Sequence, residues 1–221
     1  MESDRREIEV MMVPQRIDRR VKYLLSKLSS IHPPVYIPVS PELYARVNDC
    51  FVAMRQKVDR DGGTIVCGWQ IWQTPLITEA EYHAVWRSPE GILLDITPKM
   101  VHVKNILFVE DDTIEYDGSQ VDNIRINNTS NTLVDDLISV NEALFYIMNK
   151  GSRSKIYHIE LEGQELVLFK YLKDMQFNLE MFVYRGADSG SPCFCGRTLP
   201  YYQCHGHDLS KALSTLKKRG D

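Results

Sequence analysis

Five cysteines and six histidines are the side chains best equipped for chemistry in this 221-residue chain. Three of the cysteines crowd into PCFCGRTLPYYQCHGHD, residues 192–208, as C-x-C, eight residues, then C-H. Three soft thiolates and an imidazole, from Cys193, Cys195, Cys204 and His205, make the closed tetrahedral donor set that structural zinc prefers. The C-x-C pair reaches one ion from a tight turn, and the adjacent Cys204-His205 completes the shell from the other side. His207 is a rival fourth ligand. So short a segment buries no core of its own, so the metal must supply its folding energy. One structural Zn2+ per chain is expected.

In order and spacing, Cys193, Cys195, Gly196, Tyr201 or Tyr202, Cys204 and His205 resemble the SEC-C zinc motif, C-x-C-G-x-G followed by a basic, tyrosine-containing stretch and C-C or C-H. The chain departs from it at Thr198, where that family has glycine, and in lacking lysines around Tyr201 and Tyr202. The resemblance covers about 20 residues. It implies a small docking module of the kind found at the tip of otherwise different proteins, the preprotein translocase ATPase among them, and it implies no catalytic activity.

A second constellation lies upstream: Cys50 in VNDCFVAM, His83 in EAEYHAVW and Asp95 in LLDITP. A thiol nucleophile needs a base within hydrogen-bond reach and an acceptor that fixes the base's tautomer. Cys50 stands near the start of a helical stretch, where the helix end and a neighbouring imidazolium both favour a thiolate. Cys67 lies in the apolar run IVCGW, where burial makes a thiol inert.

The order of Cys on a helix, His on a strand and Asp on the next strand resembles the papain-like clan, most closely its transglutaminase-core branch. The matching residues are Cys50 with Ala53, then His83-Ala84-Val85-Trp86, then Asp95-Ile96-Thr97-Pro98, within residues 40–99. The resemblance implies a Cys50–His83–Asp95 triad and acyl transfer on a protein or peptide substrate. The glutamine that papain-type enzymes carry before the cysteine is absent, since Tyr44, Ala45 and Arg46 fill that neighbourhood. Gln70 and Trp69 are the side-chain N–H donors offered in its place. The blocks GWQIW and EAEYHAVW also resemble a bacterial family, which implies no activity.

These residues must be positioned by elements that the sequence also announces. Residues 17–28 have apolar positions at helical spacing, stopped by His32-Pro33-Pro34. Ser40, Pro41 and Glu42 read as N-cap, first turn and dipole partner of a second helix running toward Val58, broken near Asn48. Strands are expected over 64–72, 81–86, 92–96 and 104–109, with SPEG as the turn between the second and third. Residues 118–131 read as extended and turn-rich, 131–149 as an amphipathic helix, and a further helix runs from near Leu161 to Tyr184. GADSGSP, 186–192, reads as a flexible linker. Trp69 and Trp72 read as core, Glu79 and Glu81 as sharing one face, and Asp111, Asp112, Asp117 and Asp122 as surface acids.

With 43% hydrophobic and 25% charged residues the chain can build a real core. A net charge of -4 argues against a dedicated nucleic-acid binder, and the basic clusters RIDRRVK, 16–22, and KKR, 217–219, read as solvated helix faces. MESDRREIEV has no apolar h-region, and no run reaches membrane-spanning length, so a cytoplasmic protein is expected. The expected architecture is α+β: a papain/transglutaminase-like domain over 1–185, a helix-borne cysteine packed on an antiparallel sheet with added C-terminal helices, then a linker and zinc module over 186–221. The expected function is that of a cysteine hydrolase or acyltransferase (amidase, deamidase or protease-like). The alternative is an inactive, zinc-tipped protein- or ribonucleoprotein-binding protein.

Overall fold

The computed structural model describes residues 12–156 and 159–218. The N-terminal MESDRREIEV and Arg219 of the last basic cluster lie outside the described residues. The chain divides into two compact units, Met1–Asp117 with Asn123–Asn128, and Gly118–Asp122 with Thr129–Asp221. The expected boundary at 185/186 therefore falls inside the second unit.

Among the described residues the first unit is an antiparallel sheet with two helices. Its elements are α1 (Arg19–Leu25), β1 (Val35–Pro38), α2 (Cys50–Asp61), β2 (Thr64–Gln73), β3 (Ile77–Arg87), β4 (Leu93–Leu94), β5 (Asn105–Glu110) and β6 (Ile124–Asn127). The strand order is β1-β5-β2-β3-β4, with β6 also on β3. A parallel bridge between Val39 and Asp95 brings the end of β1 beside the end of β4, so the sheet curls back on itself. Ile37, Val66, Val85, Ile106 and Phe108, from four strands, fill the enclosed face. Ala84 of β3 and Ile96 meet Ala53 and Met54 of α2 on the opposite face. This split follows from strand alternation: Val85 and His83 share one face, Ala84 and Tyr82 the other.

Local signals set the ends of several elements. Asp18 caps α1 by accepting from the Arg20 and Val21 amides. The β3–β4 turn is held by Ser88, whose Oγ accepts from the Glu90 and Ile92 amides, and Gly91 takes a positive φ of 89° there. The second helix does not begin at Ser40. The Ser40 and Glu42 amides donate to the Asp95 and Ile96 carbonyls, so this segment is tied to the sheet, and α2 starts only at Cys50, after Asn48 at φ 63°. Competition from a partner distant in sequence defeats the capping signal.

The second unit contains α3 (Thr132–Asn149), α4 (Gly163–Tyr184) and α5 (His205–Lys218). Helix α3 buries Leu133, Leu137, Val140, Leu144 and Ile147 along one stripe. The stretch expected to be a linker is a built turn. Asp188 Oδ1 accepts from Ser191 Oγ and the Gly190 amide, and Asn131 Nδ2 donates to Ala187 O at 2.7 Å.

Candidate functional sites

The C-terminal cysteines converge. Pro192 and Pro200 form an antiparallel bridge, the Cys193 amide donates to Leu199 O, and the Gly196 amide donates to Cys193 O. Gly196 turns the chain at φ 81°, a conformation a side chain disfavours, and so returns both C-x-C sulfurs to one side. Cys204 then leads into α5, which places His205 at the helix start.

The donor atoms of Cys193, Cys195, Cys204 and His205 lie within 4.8 Å of one another. Tetrahedral zinc with Zn–S near 2.3 Å and Zn–N near 2.0 Å separates two sulfurs by about 3.8 Å and a sulfur from a nitrogen by about 3.5 Å. Cys195 Sγ to Cys204 Sγ is 3.7 Å, Cys204 Sγ to His205 Nδ1 is 3.6 Å, and Cys193 Sγ to His205 Nδ1 is 3.2 Å. The four residues are therefore spaced to hold one metal ion. His207 is exposed and stands outside the group. The Arg197 amide, donating to Cys195, holds that thiol below its ordinary range and favours the thiolate a metal needs.

Behind the knuckle, Tyr201 is almost fully buried, and its hydroxyl donates to Asp136 Oδ2 of α3 at 3.0 Å. Phe194 contacts the His205 ring at 4.6 Å and Phe182 of α4 edge-on at 5.6 Å. A Cβ at Gly206 would stand 2.7 Å from the Tyr201 ring. The tyrosine of the motif is thus core, joining the knuckle to α3 and α4.

In the first unit, His83 and Asp95 come together. His83 Nε2 is 3.1 Å from Asp95 Oδ2, with both side chains almost entirely buried. Asp95 Oδ1 accepts from the Thr97 amide and Thr97 Oγ1 at 2.9 and 2.6 Å, and Oδ2 also takes Lys99 Nζ at 2.6 Å. Burial opposes the charge on Asp95, but the His83 and Lys99 cations outweigh it and hold the carboxyl well below its usual range. Burial likewise opposes an imidazolium at His83; Asp95 overcomes it, and the pKa is pushed up to about 9. Nδ1 has no hydrogen bond among the described residues.

Cys50 is the first residue of α2 and half-buried against the Ala53–Met54–Ala84–Ile96 cluster. A negative charge on its sulfur reaches His83, raising the imidazole's proton affinity. No hydrogen bond joins the two among the described residues. On β3, Ala84 faces α2 and His83 projects from the alternate face. On the edge of β3 away from β2, the ladders with β6 and β4 leave residues 81–85 without a strand partner among the described residues. Cys67 is held above the ordinary thiol range by burial.

Of the two substitute donors, Trp69 is committed, since its Nε1 donates to Asp111 Oδ2 at 2.8 Å. Asp111 is accordingly buried, a correction to its reading as a surface acid. The local run EDDT gives no sign of an indole 42 residues upstream. Gln70 is 1% exposed and accepts from Lys99 Nζ through Oε1 at 2.8 Å. Lys99 is the residue that motif reading passed over; its place four residues after Asp95 is the one available signal. Glu79 and Glu81 do share a face, but Glu79 is buried against Arg125 and Asn123, and Glu81 accepts from Trp72 Nε1.

These features define a mixed α+β protein with an antiparallel sheet, a Cys3His cluster able to hold a metal ion, and a buried His–Asp–Lys network. No protein-family model, no curated protein and no solved structure matches the chain. Among the described residues no helix is long and apolar enough to cross a membrane.

Proposed function

We propose that the first unit is a thiol-dependent acyl-transfer enzyme and that the Cys3His cluster binds structural zinc. Cys50 Sγ attacks a carboxamide or thioester carbonyl; His83 takes the thiol proton and returns it to the leaving group. Asp95 orients the ring and balances its charge. Water or an amine then releases the acyl group, giving hydrolysis, deamidation or amide exchange on a protein or peptide. The observation that carries this reading is the buried His83–Asp95 pair, bonded through Nε2, which leaves Nδ1 without a hydrogen bond among the described residues. Zinc, held by four protein ligands, contributes folding energy and offers no open position for chemistry. The zinc-bearing unit is the docking element for a protein partner, and a cytoplasmic setting suits free thiols.

A second reading is favoured by one feature: Cys50 packs on the Ala84 face of β3, whereas His83 lies on the other. On that reading the His–Asp–Lys network is structural and the protein is a zinc-bearing binder of protein or ribonucleoprotein. p-Nitrophenyl acetate separates the two. The enzyme reading expects a burst of about one p-nitrophenolate per chain, lost in Cys50→Ala. A burst that survives the substitution removes Cys50 from the mechanism, and no burst in the unaltered protein leaves the second reading.

A further inference from the structure

Two cysteines stand outside the zinc knuckle, and they border the same small residue. Cys67 of β2 pairs across the ladder with Ala84 of β3, so both side chains lie on the α2 face of the sheet. Cys50, the first residue of α2, packs against the cluster that contains Ala84, Ala53 and Met54. Ala53 and Ala84 are buried and small, so no bulky side chain at that contact holds the helix start away from the strands. The first turn of α2 is also lightly tied, since Asp49 makes no side-chain cap and Asn48 before it takes a φ of 63°. Both thiols are free and only partly covered. Burial keeps Cys67 protonated, and charge on the nearby Cys50 sulfur adds to that effect against a hydrogen bond from Tyr82.

We propose that Cys50 and Cys67 form an oxidative modification site, in which a hydroperoxide converts the two thiols into a reversible disulfide that ties the start of α2 to β2. Cys50, as thiolate, attacks one peroxide oxygen; the O–O bond breaks, and the departing hydroxide takes up a proton to become water. Cys50 is then a sulfenic acid. The Cys67 sulfur attacks the Cys50 sulfur, the S–S bond forms, the S–O bond breaks, and the oxygen leaves as water with the Cys67 proton. Two thiols are oxidised and one peroxide is reduced to two waters. Burial shields Cys67 from reagents in solution but not from a sulfur beside it, where proximity replaces collision. The inference needs only the two sulfurs and does not rest on the acyl-transfer reading; under that reading the bridge removes the nucleophile.

The test treats the full, zinc-loaded chain with stoichiometric hydrogen peroxide, then alkylates with iodoacetamide and maps peptides by mass spectrometry without reductant. A peptide linked through Cys50 and Cys67 is expected, and dithiothreitol before alkylation should return both residues as carbamidomethyl derivatives. In Cys67→Ser the sulfenic acid at Cys50 has no sulfur to meet, so its labelling by dimedone should rise at least about tenfold over the unaltered protein. The linked peptide is read in the unaltered protein, so the result does not depend on how the variant folds. Absence of that peptide, linkage of either residue to a knuckle cysteine or to a second chain, or equal dimedone labelling in the two proteins overturns the proposal. A protein that yields the linked peptide but no p-nitrophenolate burst keeps this inference and loses the acyl-transfer reading.

Discussion

Asp95 receives four donors, from the Thr97 amide, the Thr97 hydroxyl, His83 and Lys99, and so stays ionised despite its burial. The consequences for stability have definite signs. His83 binds its proton more tightly in the folded protein, with a pKa near 9 against about 6.5 in an unfolded chain. Its contribution is therefore complete below about pH 6.5 and lost as pH climbs through 9. Asp95 works in the opposite direction, contributing above the ordinary carboxylate range and losing its contribution in acid. Melting temperatures measured from pH 6 to 10 should show the gap between the protein and His83→Gln shrinking between about pH 6.5 and 9 and level above that; a gap that stays constant contradicts the pairing. His83 and Asp95 were legible in the sequence because SPEG makes the turn that sets their strands side by side. Lys99 was not, because a lysine after a proline ordinarily reaches water.

At the scale of elements, the sequence announces the period of a strand better than its partners. β2 and β3 were visible as alternating, aromatic-rich runs, whereas the ladder with β5 was not. That ladder explains Gly68: a Cβ there would stand 2.1 Å from Val109 O and 2.7 Å from Phe108 Cζ. Gly68→Ala should cost about 1–3 kcal/mol, read from urea unfolding; an unchanged unfolding midpoint contradicts the close approach of β5. Ser40-Pro41-Glu42 carried every local mark of a helix start and became a sheet-bound segment, because carbonyls more than 50 residues away claimed its amides. The knuckle shows the converse case. Its cysteine spacing is local and was fully readable, but its seat was not: Tyr201 meets Asp136 of α3, 65 residues earlier. Tyr201→Phe leaves Asp136 buried without that donor and should destabilise the protein by about 1–3 kcal/mol. A melting temperature equal to that of the unaltered protein contradicts this.

For the whole molecule, the division into units follows from where apolar faces are covered. The stripe of α3 is covered by α4 and α5, so these helices belong with the knuckle and not with the sheet. Composition gave no such boundary, since Gly and Ser in GADSGSP look the same in a free linker and in a turn held by Asp188. Metal analysis of the purified chain should find one zinc per chain, lost in Cys204→Ser, and a chelator should lower the melting temperature, because an ion bound only by the folded state stabilises it. A metal-free protein that melts at an unchanged temperature contradicts a structural role for the ion. The acyl-transfer account itself turns on whether the Cys50 sulfur works together with the His83 ring. The direct measurement is the rate of Cys50 carbamidomethylation by iodoacetamide at pH 7, followed by peptide mass spectrometry in the protein and in His83→Ala. The account predicts that Cys50 reacts before Cys67 and at least about tenfold faster than in the variant; equal rates in the two proteins, or Cys67 reacting first, would contradict it.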